Sequence, residues 1–264
     1  MRWVWPLFLA LAGCSGQTEI APGGIVSNNP CIDAVLSEIA APGQVAAVSI
    51  YSHDPASASA PVQWARQYPA LGISAEEVIA ARPRLLLTGN LASSGTNAAL
   101  AKAAIRHEAF GVPANVPENL EQVKAVGKAI GRMQAAEHLM QRIMSATTPA
   151  PATGRRAIIW QTGGFVPGKG TLQDELLSRA GFTNASATYG LSQWSQLPLE
   201  PLVRNPPDVI FMPVTGDGEA GRELAMRRKL LRYFPETKIV TFPDRLLFCG
   251  GPTIIEAMKV MRAA

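Results

Sequence analysis

Three groups of residues carry side chains and spacings that could do chemistry. The first is the stretch "WQTGGFVPGKGTLQDEL", Trp160 to Leu176, in which Gly163, four residues, then Gly168 and Lys169 match the outline of a phosphate-binding loop. Such a loop needs a hydroxyl directly after the lysine to ligate Mg²⁺; here that position is Gly170, and Thr171 comes one residue late. The second group is Ser52, His53 and Asp54, the residue types of a hydrolytic triad. Neighbours in one extended loop point in different directions, whereas a triad is defined by convergent geometry. The third is the cysteines. Cys14 closes the N-terminal apolar run, which leaves Cys31 and Cys249 as an even pair far apart in sequence. Those two could form a disulfide, face a ligand or metal as thiols, or sit apart as independent side chains.

Composition narrows the class. The chain has 264 residues and a formal charge of +4, with the densest basic run at "RELAMRRKLLR", Arg222 to Arg232. A run of this kind reads as a solvated helix face and not as a nucleic-acid footprint. The opening "MRWVWPLFLALAGCSG" has one Arg and an apolar segment from Trp3 to Ala12, too short to span a bilayer at roughly 20 residues. It reads as a signal peptide over residues 1–13, removed on export. Residues 14–22 then form a tether. No G-x-S-x-G or H-E-x-x-H occurs, and catalysis, a metal site and nucleic-acid binding are not expected.

From Gly23 the hydrophobic pattern alternates strand and helix. "GGIVSNN", "QVAAVSI" and "RPRLLLTG" read as strands, and "PCIDAVLSEIA", "SAEEVIAAR" and "NAALAKAAIRH" as helices. The rhythm changes at Pro117. Through Ala146 there is no strand and no internal proline, and Leu120, Val123, Val126, Ile130, Met133, Met140, Ile143 and Met144 make one apolar stripe. About 30 residues in a single helix would be a rod of roughly 45 Å. After "TTPAPATG" the alternation resumes, with strands at "RRAIIWQT", "DVIFMPV" and "KIVTFPD". The expected fold is α/β: two Rossmann-like lobes, each a mainly parallel sheet flanked by helices, joined by one long α-helix. Residues 23–116 form the N-terminal lobe, 117–147 the linking helix and 148–264 the C-terminal lobe.

Five segments in order carry a family resemblance. "LAGC" resembles a bacterial lipobox, with Cys14 as the lipidated residue. "IVSNNPCIDAVLSEIA", "SIYSHDPASA", "ALGISAEEVIAARPRLLLTG", "WQTGGFVPGKGTLQDELLSRAGFTNAS" and "YGLSQWSQLPLEPLVRNPPDVIF" are similar to the signatures of periplasmic substrate-binding proteins of ABC importers, in the class that receives cobalamin, ferric siderophores and haem. Arg84 departs from the usual Asp. The resemblance implies a periplasmic, lipid-anchored monomer that captures cobalamin or a related metal chelate between its lobes and works with an ABC permease and ATPase. A ferric-siderophore or haem receptor is the alternative of the same class. An exported enzyme and an accessory lipoprotein without a small ligand are the readings from other classes.

The resemblance also implies the site. Ligand-binding positions would be Cys31, Tyr51, Ser52, His53 and Asn90 from the first lobe. The second lobe would supply Phe165, Lys169, Trp194, Cys249 and Gly250. Tyr51, Phe165 and Trp194 would stack on a flat macrocycle, and His53 is a possible axial ligand. Glu76 and Glu200, at equivalent places in the two lobes, would dock on the permease.

Overall fold

A computed structural model describes residues 23–89, 94–213 and 218–264, with the side chains of 218–220 excepted. Asn90, Cys14 and the whole signal and tether segment lie outside the described residues.

The first lobe is a five-stranded parallel sheet. Its strands are β1 (Ile25–Ser27), β2 (Val45–Ser49), β3 (Ala70–Leu71), β4 (Leu85–Gly89) and β5 (His107–Phe110), in the order β3-β2-β1-β4-β5. β1, β2 and most of β4 are buried on both faces, which is why each opens on consecutive apolar residues without a polar alternation. The flanking helices are α1 (Pro30–Ile39), α2 (Val62–Ala65), α3 (Ala75–Ala81) and α4 (Ser94–Lys102). α1 begins where the chain dictates: the Asn29 side chain accepts the Cys31 N–H, Pro30 takes the first turn, and Ile32, Val35, Leu36 and Ile39 face the core.

The second lobe holds β6 (Arg156–Ile159), β7 (Phe165–Pro167), α7 (Leu172–Arg179), β8 (Thr183–Asn184), α8 (Ala185–Thr188), β9 (Trp194–Gln196), α9 (Leu199–Arg204), β10 (Val209–Met212), α10 (Gly218–Leu231), β11 (Lys238–Thr241) and α11 (Thr253–Arg262). Its parallel sheet has the order β11-β10-β6-β8, and β7 pairs antiparallel with β9 as a separate ribbon. Two α/β lobes with parallel sheets are therefore present as expected.

The link between them differs from the expectation of one long helix. It is two helices, α5 (Val116–Ala129) and α6 (Met133–Ala146), separated at Ile130 to Arg132. Gly131 has φ 72°. Its N–H donates to the Lys128 carbonyl at 3.2 Å, and the Arg132 N–H donates to the Gly127 carbonyl at 2.7 Å. These are the two hydrogen bonds of a Schellman C-terminus, with glycine at the left-handed position. Gly127 packs directly on Ala136, so α5 and α6 lie against one another. α6 in turn packs on α1 and α11. One apolar cluster accordingly runs from Ile25 and Leu36 through Val123, Leu139 and Ile143 to Phe211, Ala257 and Met258. The lobes share a core.

A Cβ at residue 127 would overlap that of Ala136. Gly→Ala in an unconstrained helix interior stabilises by up to about 1 kcal/mol. Gly127→Ala should instead destabilise by about 1–3 kcal/mol through overpacking, read as a lower midpoint of urea unfolding. An unchanged or raised midpoint would show that the two helices do not meet there.

Candidate functional site

The glycine-rich stretch that resembled a phosphate loop forms the turn and first strand of the β7–β9 ribbon. Gly164 has φ 84°, and a side chain on Gly168 would collide with the Leu191 backbone. These two positions let β7 lie against the 191–196 segment, with Lys169 bridging Ser192. The N-terminus of α7 is closed by its own residues: Thr171 Oγ1 accepts the Asp174 N–H at 3.2 Å, and the Asp174 carboxylate accepts the Gly170 N–H at 3.2 Å. Acidic Asp174 and Glu175 occupy the place an anion would take. It is not a nucleotide site.

The loop leaving β6 is clamped from three sides. The Arg227 guanidinium lies 4.7 Å over the Trp160 ring, donates to the Gln161 carbonyl at 2.6 Å and pairs with Glu223. Glu223 accepts the Gly163 N–H at 3.0 Å, and Thr162 Oγ1 donates to Asp244 at 2.7 Å. Arg227 is only 6% exposed, and burial pulls its pKa down against the support of Glu223. The basic run 222–232, read as a solvated face, thus buries one of its arginines to hold this loop. No sequence signal distinguished Arg227 from its neighbours.

Sequence reasoning left the two cysteines open among three arrangements. They are joined in a disulfide, with Cα atoms 5.0 Å apart and the two residues separated by 218 positions in sequence. It ties the first turn of α1 in one lobe to the segment after β11 in the other, and neither sulfur is a free thiol for a ligand. Closing so long a loop stabilises the fold by about 2–5 kcal/mol. Beside it the Asn119 side chain of α5 accepts the Gly251 N–H, and Ser59 Oγ donates to the Cys249 sulfur at 3.1 Å. Gly250 is buried against Asn119 and Pro113, so it serves packing and not ligand contact.

Two more expected ligand residues are turned inward. Ser52 is fully buried and donates to Asp33 at 2.6 Å. His53 Nε2 lies 3.1 Å from both the Ala65 and Tyr68 carbonyls. A ring nitrogen facing two acceptors carries the proton, so that nitrogen is committed to its own lobe. Tyr51, on the turn Ile50–His53, is exposed.

The carboxyl ends of open parallel sheets are where such folds bind ligands. Here they bring together a pocket of about 360 Å³ between the Val112–Ala114 loop of the first lobe and Gln161, Gln193, Trp194, Leu247 and Phe248 of the second. Trp194 and Phe248 are 37% and 39% exposed, and Phe165 stands exposed on the same ribbon as Trp194. Lys169 is exposed beside Gly170, which lines the pocket, and is itself not in the lining. Tyr51 is likewise outside it. Phe248, Gln161 and Gln193 were missed by sequence reasoning because isolated loop residues carry no periodicity. A second cavity, about 460 Å³, is lined by Glu38, the 58–62 loop, Arg245 and Glu256, and contains none of the exposed aromatic tips. Among the described residues no cluster of three metal-ligating side chains occurs.

The sequence model of the periplasmic binding protein family matches residues 25–229. The chain belongs to that family. The match to this periplasmic binding protein stops within α10, so β11, Phe248 and Cys249 lie beyond it. A comparison with curated proteins finds no match. Among solved structures, the periplasmic haem-binding protein RhuT of Roseiflexus sp. RS-1, in apo form, aligns with a TM-score of 0.71 and 19% identity, over 92% of this chain and 99% of its own. HutB, a periplasmic haem-binding protein of Vibrio cholerae, gives 0.72 and 16%, over 91% and 98%. A protein of an Fe³⁺-hydroxamate transport system from Saccharomonospora viridis gives 0.64 and 19%, over 92% of both chains. At these identities the likeness is one of fold.

Asp33 gives this binding protein a pH signature. Its carboxyl is fully buried, and Oδ2 accepts the Ser49 N–H at 2.8 Å and the Ser52 hydroxyl. Burial pushes its pKa up to about 7, against the hydrogen bonds. The folded protein therefore holds a proton that the unfolded chain releases near pH 4. The resulting stability is present in full below that value and is lost as pH rises through about 7. The gap in urea midpoint between the parent and Asp33→Asn should change steadily across this window, the parent losing ground. A gap constant over the window would refute the shift.

Proposed function

We propose that this protein is the substrate-binding component of an ABC importer, held in the periplasm by lipidation of Cys14, and that it captures a metal chelate in the cleft between its lobes. The candidate ligands are cobalamin or a related corrinoid, a ferric siderophore, and haem. The observation that carries the reading is the pocket between the Val112–Ala114 loop and the second lobe's loop tips, where Trp194, at the start of β9, and Phe248, in the segment after β11, stay partly exposed. Exposed aromatic area at such a place has no packing role within its lobe and suits a large flat ligand. Trp194, Phe248 and Phe165 are the proposed contacts from the second lobe, Tyr51 from the first, with Lys169 at the rim.

Because the lobes share a core and are joined by a disulfide, uptake and release would proceed with small adjustments of loops and little hinge motion. Delivery would use Glu76 on α3 and Glu200 on α9. Both are exposed, and among the described residues Glu200 is paired with its helix neighbour Arg204, at 2.6 Å with both side chains 78% exposed. A pair so exposed contributes little to stability and yields readily to a partner's cations.

Cyanocobalamin, haemin and a ferric hydroxamate, each added separately to the purified protein, test the capture step. At least one should raise the melting temperature by mass action and change tryptophan fluorescence, and Trp194→Ala should weaken that ligand by roughly ten-fold or more, an aromatic contact being worth about 1–3 kcal/mol. Silence with all three would remove the receptor reading. For docking, Glu76→Arg and Glu200→Arg should leave affinity unchanged and abolish uptake by cells carrying the cognate permease; undiminished uptake would dispose of that role.

A further inference from the structure

Resting on the reading of the cleft as a ligand site, we propose that Gln161 and Gln193 make it selective for a chelate whose periphery carries uncharged carboxamides over one that carries free carboxylates.

The pocket's polar groups are the starting point. Among the described residues, none of those lining it is charged. Besides the indole N–H of Trp194, its hydrogen-bonding side chains are Thr171, Gln161, Gln173 and Gln193. Two of them are committed within the protein: Thr171 Oγ1 donates to the Gly168 carbonyl at 2.9 Å, and Gln173 Nε2 donates to the Leu247 carbonyl at 2.8 Å. Gln161 is different. Its backbone is pinned by Arg227, yet its side-chain amide has no partner among the described residues. The Gln193 amide reaches only the Gly170 carbonyl, at 3.5 Å, which is the outer limit of a hydrogen bond. Two amides thus remain open toward the ligand, beside the ring faces of Trp194 and Phe248. A carboxamide both donates and accepts, so it meets another carboxamide with both its groups satisfied.

Two nearby cations are used elsewhere: Arg227 is buried against Glu223 and the Gln161 carbonyl, and Arg245 pairs with Glu256, while Lys169 stays exposed at the rim, outside the lining. A ligand carboxylate drawn into the pocket would lose water and find no counter-charge among the lining residues. The backbone points to the same residue. Gln193 has φ 53°, the left-handed region, held by its N–H to the Lys169 carbonyl at 3.0 Å and by its own carbonyl accepting the Gly168 N–H at 2.7 Å. Glycine would occupy that conformation without strain. Side chains kept in such conformations cluster at ligand-binding places.

Two corrinoids with one ring system isolate the question: dicyanocobinamide, whose periphery is carboxamide, and cobyrinic acid, whose periphery is carboxylate. Equilibrium dialysis read by visible absorption should give at least ten-fold tighter binding of the amide compound. Gln161→Lys should narrow that ratio by ten-fold or more by supplying a counter-charge. Gln193→Gly should weaken the amide compound while raising the melting temperature, an opposition that a purely structural role for Gln193 would not produce. Equal or tighter binding of cobyrinic acid overturns the proposal, as does binding of haemin or a ferric hydroxamate with neither corrinoid bound. If no chelate binds at all, the receptor reading itself has failed.

Discussion

At the end of α5 the Gly127 carbonyl accepts the Arg132 N–H, and Gly131 takes the left-handed turn that this hydrogen bond requires. The chain is thereby sent back on itself. α6 returns against α5 at the contact of Gly127 with Ala136, and its other faces meet α1 of the first lobe and α11 of the second. A straight helix of the same length would have held the lobes apart like a strut. The folded-back pair fills the space between them instead, and the apolar cluster through Val123, Ile143 and Met258 is common to both.

The geometry of the cleft is set by that shared core. Swinging the lobes apart would expose apolar side chains that are now fully buried, and the hydrophobic cost of exposure scales with that area. Two further ties act at the cleft edge. The Cys31–Cys249 disulfide joins the start of α1 to the segment after β11, and Asn119 of α5 holds the backbone of the same segment at Gly251. Phe248 stands immediately before these ties, so the wall of the pocket is set by the same groups that lock the lobes. On the other wall, Arg227 fixes the loop at Gln161 through a stacked ring, a carbonyl and a carboxylate. A buried cation is tolerated only when so compensated, which makes that loop a rigid mount for the side chains beyond it.

Much of this was legible in the sequence. β10 is an unbroken apolar run, and β1 and β4 open on one, because both their faces are covered, and that burial is what writes a parallel strand into a sequence. Asn29, Ser74 and Asn115 each accept a backbone N–H in the first turn of their helix, the role that Asn and Ser side chains favour there. Trp194 lines the pocket. What failed was direction and pairing. Ser52 and His53 have the chemistry of site residues and spend it on Asp33 and on the α2 region. Phe248 and Gln161, which do line the pocket, belong to no periodic pattern.

Periodicity and end-capping act within a few residues, so the chain alone determined the two α/β lobes, their parallel strands and most helix starts. Gly131 shows the boundary of that reach. A glycine within a helical stripe can be tolerated in place or can end the helix, and the choice depends on whether the next helical segment finds a surface to pack on. That surface is supplied by Gly127 and by helices from both ends of the chain. The same holds for Cys31 and Cys249, for the burial of Arg227, and for the inward turn of Ser52: each depends on groups distant in sequence whose meeting only the packed structure decides.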